Sequence, residues 1–85
     1  MKQVTIAIMA EHPDRDLLAP IIRRIEKLLT DKNLTAYQLS IRSGVDRAAI
    51  SRILNGESGL TVSTLLKLID GLDVSYDEFF KGISA

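Results

Sequence analysis

The stretch from Thr35 to Leu54 constrains the fold most, because its residues fit two short helices joined by a tight turn. Thr35 suits the start of the first helix, since its hydroxyl can accept a hydrogen bond from a free N–H group of the first turn. Gly44 comes where that helix must stop, and glycine readily adopts the left-handed backbone of a sharp stop. Asp46 suits the start of a second helix over residues 47–54. The sequence therefore predicts a helix, a glycine turn and a second helix.

The second helix of this unit has one polar and one apolar face. At 100° per residue, its apolar side chains share one arc, which must pack against a core. The opposite arc carries two arginines with small residues between them, so another molecule can approach closely. The polar arc holds Arg47, Ala48, Ser51, Arg52 and Asn55, and the apolar arc holds Ala49, Ile50, Ile53 and Leu54. An ordinary solvated helix face has a similar composition, so amphipathicity alone leaves both interpretations open.

The capped turn before this helix favours a recognition surface over a solvated face. Two helices joined by a short turn containing glycine form the unit that lays its second helix in the major groove of DNA. An arginine there can donate two hydrogen bonds to O6 and N7 of a guanine. The sequence therefore predicts that Arg47 and Arg52 contact base edges.

Several short motifs follow one another without a gap between Ile21 and Phe80. They are Leu34-Thr35, Leu39-Ser40, Gly44-Val45, Ile50-Ser51-Arg52-Ile53, Asn55-Gly56, Thr64-Leu65-Leu66-Lys67-Leu68, Leu72, Val74-Ser75 and Asp77-Glu78-Phe79-Phe80. In this order they resemble the Cro and phage-repressor type of helix-turn-helix domain, also called the xenobiotic-response-element family. The resemblance implies an all-α, five-helix, lambda-repressor-like domain that binds double-stranded DNA, commonly as a two-fold dimer on a palindromic operator.

The resemblance also implies roles for individual residues. The positions where the family reads bases are Arg47, Ala48 and Arg52, with Ser51 beside them, and the positions where it touches phosphate are Thr35, Asn55 and, more weakly, Arg42. For Arg42, on the exposed side of its helix, a solvated charge is an equally good interpretation.

The chain departs from the family pattern at several positions. Ala36 replaces a glutamine that usually contacts the DNA backbone, and Glu57 and Ser58 replace residues that are often basic. Leu29 and Leu54 occupy two positions where the family often buries an Arg–Glu pair. Replacing a buried ion pair by well-packed apolar groups is often neutral or stabilising. We therefore expect these two leucines to touch in the core.

The composition limits the protein to a small domain with few chemical options. The 85 residues suggest an arm and connector over 1–16 and a helix-turn-helix domain over 17–81. There are no cysteines, which fits a reducing cytoplasm, and no apolar run long enough for a membrane span. No cofactor motif, metal-ligand spacing or activated nucleophile is present, so we expect a protein that is not an enzyme.

The net charge of zero is the main observation against DNA binding, because phosphate neutralisation supplies most non-specific affinity. The charge is unevenly distributed, however. Residues 35–60 carry three arginines against two carboxylates, whereas residues 61–85 carry two lysines against four carboxylates. We therefore expect the acidic C-terminal part to face away from DNA.

Three further helices are predicted around the central unit. The first runs from about Leu18 to Asp31, because Pro20 is readily accepted only in a first turn. Another spans about residues 62–72, and the last starts after Ser75, whose spacing to Glu78 is typical of a capping box. The residues suited to capping or ending these helices are Asn33, Thr61, Asp73 and Ser75.

Two features bear on dimerisation. Residues 2–10 are rich in β-branched residues and alternate, with Val4, Ile6 and Ile8 on one side and Thr5, Ala7 and Met9 on the other, which predicts a strand. A lone strand needs a partner, and two copies could pair antiparallel across a dimer axis. The alternative is an arm that packs on its own domain or is disordered. At the other end, one of Phe79 and Phe80 is expected in the core, while the other, with Ile83, is a candidate dimer contact.

Two classes of function follow from the sequence. The first is a sequence-specific DNA-binding regulator of transcription, a repressor or the DNA-binding antitoxin of a toxin–antitoxin pair. The second is a protein–protein interaction module, such as an antitoxin or adaptor, that keeps the helix-turn-helix shape with weak or no DNA binding. The neutral charge, Ala36, Ala48 and Glu57 favour it. Arg47 and Arg52 on a face of small residues favour the first class.

Overall fold

The computed structural model describes residues 15–83, which form five helices and no strand. In chain order the helices are α1 (Arg15–Asp31), α2 (Ala36–Ser43), α3 (Arg47–Leu54), α4 (Val62–Gly71) and α5 (Tyr76–Lys81). The predicted all-helical, five-helix fold is confirmed for this part of the chain. The predicted strand over residues 2–10 lies outside it.

Helix α1 begins at Arg15, three residues before the predicted start at Leu18. Pro20 therefore lies inside the helix, beyond its first turn. The missing N–H of Pro20 leaves the carbonyl of Asp16 without its helical partner, but Asp16 is exposed and water can satisfy that carbonyl. The Asp16 carboxylate also stabilises this end, where the helix dipole is positive. The proline therefore did not set the boundary.

The other helix ends lie where the sequence predicted caps and stops. Asn33, Gly44 and Asp73 adopt left-handed backbone conformations, with φ of 57°, 78° and 60°. The hydroxyls of Thr61 and Ser75 each accept a hydrogen bond from the N–H three residues on, at 3.1 and 3.0 Å. These local interactions set where α1, α2 and α4 end and where α4 and α5 begin.

Apolar residues from all five helices form one core. Its members are Ile25, Leu28, Leu29, Leu39, Ile50, Ile53, Leu65, Leu68, Ile69, Leu72 and Phe79. Leu54 packs against this cluster, so both leucines at the family's ion-pair positions belong to the apolar interior; their direct contact stays a prediction. Phe79 is fully buried and Phe80 is 45% exposed, which confirms that one of the pair is a core residue.

Gly71 brings α4 close to α2. A Cβ atom at this position would lie 2.8 Å from Ser43 Cβ and 3.0 Å from Leu39 Cδ1, which is too close for an ordinary contact. Glycine is therefore needed for the two helices to pack at this distance. The close packing fixes α2, and with it the turn that leads into α3. None of the helices within residues 15–83 has the length and apolarity needed to cross a membrane.

Candidate nucleic-acid interface

The unit formed by α2, its turn and α3 is held by hydrogen bonds at both helix starts. The Oγ1 of Thr35 accepts from the N–H of Gln38 at 3.1 Å, and the Gln38 side chain accepts from the N–H of Thr35 at 2.9 Å. In the turn, Ser43 Oγ accepts from the N–H of Val45 at 3.1 Å. Asp46 then caps α3 by accepting from the N–H of Ala48 at 3.2 Å. The predicted helix, glycine turn and helix are therefore confirmed.

Helix α3 presents one face to solvent and the opposite face to the core. Ile50 and Ile53 are only 1% and 4% exposed, so the inward face is firmly packed. The exposed residues of the outward face are Arg47, Ala48, Ser51, Arg52 and Asn55. All four candidate base-reading side chains therefore lie on one accessible surface, as predicted.

The Arg47 side chain lies against an aromatic ring of α2. Its Cζ atom is 6.0 Å from the centroid of the Tyr37 ring, which is the outer limit of a cation–π contact. Within residues 15–83, the ion pairs join Lys27 to Asp31 and Lys81 to Asp77, so neither involves an arginine of α2 or α3. The guanidinium donors of this unit are therefore not consumed by carboxylates of the described part of the chain.

A shallow, open groove of about 590 Å³ lies between α2 and the start of α3. It is lined by Tyr37, Ser40, Ile41, Gly44, Val45, Asp46 and Arg47. Arg47 therefore combines two properties, because it lies at the edge of a groove and at the first position of α3. In a helix-turn-helix unit, the N-terminal residues of the second helix are the ones that reach base edges.

Comparison with known proteins agrees with this geometry. A family model described as helix-turn-helix matches residues 25–79. The crystal structure of the wild-type restriction-modification controller protein C.Esp1396I is similar, with 34% identity and a TM-score of 0.74 over 76% of this chain and 84% of that chain. This chain belongs to the Cro and phage-repressor type helix-turn-helix family.

A second similar structure holds a nucleic acid. It is the tetramer of the same controller protein in complex with its natural 35 base-pair operator, with 34% identity and a TM-score of 0.74 over 76% of this chain and 86% of that chain. Among curated proteins there is no significant match. Together, the helix-turn-helix family and this operator-bound relative support the class of DNA-binding transcriptional regulators.

Thr35 lies at the start of α2, where the sequence predicted a phosphate contact, but its polar groups are already bonded. Its N–H and its Oγ1 both bond Gln38 in the capping box. The N–H groups of Ala36 and Tyr37, at the first two positions of α2, have no carbonyl partner within the helix. These two donors, rather than those of Thr35, are the ones that the start of α2 offers to a phosphate.

Asn55 and Arg42 lie at the edges of the helix-turn-helix surface. The N–H of Asn55 donates to the carbonyl of Ser51 at 3.0 Å, so only its exposed side-chain amide is available to a ligand. Arg42 is exposed in the last turn of α2 and lines a shallow depression with Leu34, Gln38 and Ile41. Both positions are accessible, and nothing in the described residues assigns either a partner.

Sequence reasoning missed two residues of this surface. Gln38 completes the capping box, and the spacing of a threonine followed three residues later by a glutamine is the known signature for it. Tyr37 had no such signal, because its partner lies ten residues away on another helix. Within residues 15–83 no cluster of three or more acidic, histidine or cysteine side chains is arranged to hold a metal ion.

Proposed function

We propose that this protein is a sequence-specific regulator of transcription that inserts α3 into the major groove of double-stranded DNA and acts as a repressor. The observation that carries the proposal is the division of α3 into a packed face, with Ile50 1% exposed, and an exposed face bearing two arginines. The operator complex of a relative with 34% identity supports the choice of DNA as ligand.

The two arginines of α3 suit the reading of neighbouring base pairs. Arg47 and Arg52 are five positions apart, which at a rise of 1.5 Å per residue separates them by about 7.5 Å along the helix axis. That is roughly two base-pair steps of about 3.4 Å. The small side chains of Ala48 and Ser51 lie between them, so α3 can approach the floor of the groove. Each arginine would then contact one guanine through two hydrogen bonds.

Phosphate contacts hold α3 in register in this proposal. The two free N–H groups at the start of α2 would face one strand, with Arg42 and the Asn55 amide as further donors. This is a small set of charges, so each protomer binds with modest affinity. A two-fold dimer compensates, because linking two half-site contacts raises the overall affinity without new contacts in either half.

We place the dimer contact at Phe80, which is 45% exposed at the end of α5. Ile83, its predicted companion, instead packs against the core, so we leave it out of the contact. Analytical ultracentrifugation tests this placement. Phe80→Ser should convert a dimer into a monomer, whereas Val62→Ser, which changes another exposed apolar residue, should not. A Phe80→Ser protein that sediments as a dimer would contradict the placement.

Selection of bound sites from a random duplex pool tests the function itself. We expect an enriched palindromic site with half-sites one helical turn, or a multiple of one, apart. Arg47→Ala and Arg52→Ala should each weaken binding to that site by about 1–3 kcal/mol and relax the preference at one base pair. Arg23→Ala, which removes an exposed arginine from α1, is the matched control and should leave the preference intact.

The competing function is a protein–protein interaction module, which the net charge of zero favours. It predicts no enriched DNA site, and no effect of either α3 arginine on binding to random duplex DNA at any salt concentration. The comparisons give no support for a toxin partner, so the antitoxin variant of this idea rests on size alone. The regulator that we propose requires no cofactor or catalytic group and would act in the cytoplasm.

A further inference from the structure

Tyr37 is a large aromatic residue that the fold leaves outside the core. It is 57% exposed, although its ring lies on the second residue of a capped helix that packs tightly elsewhere. Within residues 15–83 its ring makes one cation–π contact, with the Arg47 guanidinium at 6.0 Å from the ring centroid, and no aromatic pair. The ring therefore contributes little to the core. Much of its surface lies at the edge of the groove between α2 and the start of α3.

The backbones that carry this pair are both fixed. Tyr37 follows the capping box of Thr35, and the Ser40 hydroxyl donates to the Tyr37 carbonyl at 2.6 Å. Arg47 is the first residue of α3 and directly follows the N-cap Asp46. With both backbones held, the remaining freedom of Arg47 lies in its long side chain. A ring beside the guanidinium restricts that freedom.

The neighbouring carboxylate does not compete with the ring. The Oδ2 atom of Asp46 accepts the N–H of Ala48 in the cap, and in the described part of the chain it forms no ion pair with Arg47. A cation–π contact is an attraction between the charge and the ring quadrupole, so it pairs none of the N–H donors of a guanidinium with a hydrogen-bond acceptor of the protein. The N–H donors of Arg47 therefore stay available to a ligand while Tyr37 lies beside the group.

We propose that Tyr37 is a positioning residue that holds the Arg47 guanidinium for recognition of a guanine and so sets the specificity at one base pair. The inference rests on the proposed function, since it assigns a role within the same surface. A cation–π contact strengthens when water is removed, so the support is greatest once DNA covers the groove. Pre-orientation reduces the side-chain freedom that Arg47 loses on binding.

Two variants of Tyr37 separate the ring from its hydroxyl, and one variant of Tyr76 is the control. Tyr37→Phe keeps the ring, Tyr37→Leu removes it, and Tyr76→Leu makes the same change at a tyrosine of α5 that is 46% exposed. For each variant, the relative affinity for two DNA sites is measured by competition. One is the selected site, and the other differs from it only at the base pair that the Arg47→Ala protein no longer distinguishes. We expect Tyr37→Leu to reduce this discrimination by about threefold to tenfold, and the other two variants to leave it unchanged.

The double variant decides whether Tyr37 acts through Arg47. Its readout is the affinity for the selected site, which Tyr37→Leu should lower in the wild-type background but not further in an Arg47→Ala background. An equal loss of affinity in both backgrounds, or an equal loss of discrimination in Tyr37→Phe, would overturn the proposal and indicate a direct contact of Tyr37 with DNA. Unchanged discrimination in Tyr37→Leu would overturn it as well.

A measurement without DNA separates this inference from the proposed function. In nuclear magnetic resonance spectra of the free protein, the side-chain protons of Arg47 should show a ring-current shift that Tyr37→Leu abolishes and Tyr37→Phe retains. An absent shift overturns the positioning role even if the protein binds DNA. If the shift is present but the wild-type protein selects no DNA site, the proposed function fails, and with it the assigned purpose of the contact.

Discussion

Two arginines of this domain lie over aromatic rings at almost the same distance, yet their surroundings differ. Arg24 Cζ is 5.9 Å from the centroid of Phe79, and Arg47 Cζ is 6.0 Å from that of Tyr37. The Phe79 ring is fully buried, whereas Tyr37 is 57% exposed. Arg24 also donates from Nε and from a terminal nitrogen to two backbone carbonyls of α5, each at 3.0 Å.

The difference shows how one type of contact serves two purposes. The carbonyls that accept from Arg24 belong to Glu78 and Phe79, in the last turns of α5, where the helix dipole is negative. Arg24 thus links α1 to the end of α5, and its donors are used within the fold. Arg47 has a ring beside its guanidinium, and that guanidinium makes no hydrogen bond within residues 15–83, so its donors are available to a ligand. The hydrogen bonds, and not the ring, distinguish a structural arginine from a candidate recognition arginine.

The largest effect that this comparison predicts is a pair of opposite phenotypes: one arginine variant loses DNA affinity and the other loses stability. Arg47→Ala should weaken binding to the selected DNA site about tenfold to hundredfold and leave the free energy of unfolding within about 0.5 kcal/mol of the wild type. Arg24→Met keeps the apolar stem but loses two charged hydrogen bonds, so it should lower the free energy of unfolding by about 1–3 kcal/mol. Fluorescence anisotropy and urea denaturation measure the two quantities.

The DNA affinity of Arg24→Met should equal that of the wild type when measured in conditions where the variant is fully folded. A variant of Arg24 that is stable but binds DNA weakly would contradict the division of roles. So would an Arg47→Ala protein with reduced stability and unchanged affinity.

A smaller effect is expected from Gly82, which lies beside the Arg24 guanidinium. A Cβ atom on Gly82 would overlap Arg24 Cζ, so Gly82→Ala must displace the guanidinium from its two carbonyls. Gly82 has helical dihedral angles, φ −81° and ψ 0°, which alanine accepts without backbone strain. We therefore expect a loss of about 1–2 kcal/mol in the free energy of unfolding, measured by urea denaturation.

The Arg24→Met protein provides the control background for this prediction. In Arg24→Met protein there is no guanidinium to displace, so Gly82→Ala should cost less than in the wild type. An equal cost in both backgrounds would show that the alanine acts on something other than Arg24.

The sequence predicted those parts of the structure that depend on neighbours along the chain. Thr35, Gly44 and Asp46 act within a few residues of themselves, so their residue types were sufficient to locate the ends of α2 and the start of α3. The start of α1 was predicted wrongly, because a proline beyond the first turn adds a cost without forbidding the helix. Local chemistry alone did not decide that boundary.

The contact between Tyr37 and Arg47 depends on tertiary packing instead. The two residues lie on different helices, and their approach requires α2 to be placed by its packing against α4. That placement depends on Gly71, where a Cβ atom would lie 2.8 Å from Ser43 Cβ. No pattern in the sequence links these positions. For the same reason, the sequence does not predict the hydrogen bond from Arg24 to the end of α5, because the two residues are 55 positions apart in the chain.

The smallest effect is predicted for Arg42, a third arginine that has no ring and no carbonyl partner in the described part of the chain. If it contacts a phosphate, Arg42→Ala should weaken binding to all DNA sequences by the same factor and reduce the slope of log affinity against log salt by about 1. Lys67→Ala on α4 removes an exposed charge of the same sign outside the proposed surface and should leave the slope unchanged. An unchanged slope for Arg42→Ala would mean that this arginine is a solvated charge. A loss confined to one base pair would instead place Arg42 with Arg47 among the residues that read sequence, and a free guanidinium at the edge of the surface would then suffice for specificity without an aromatic support.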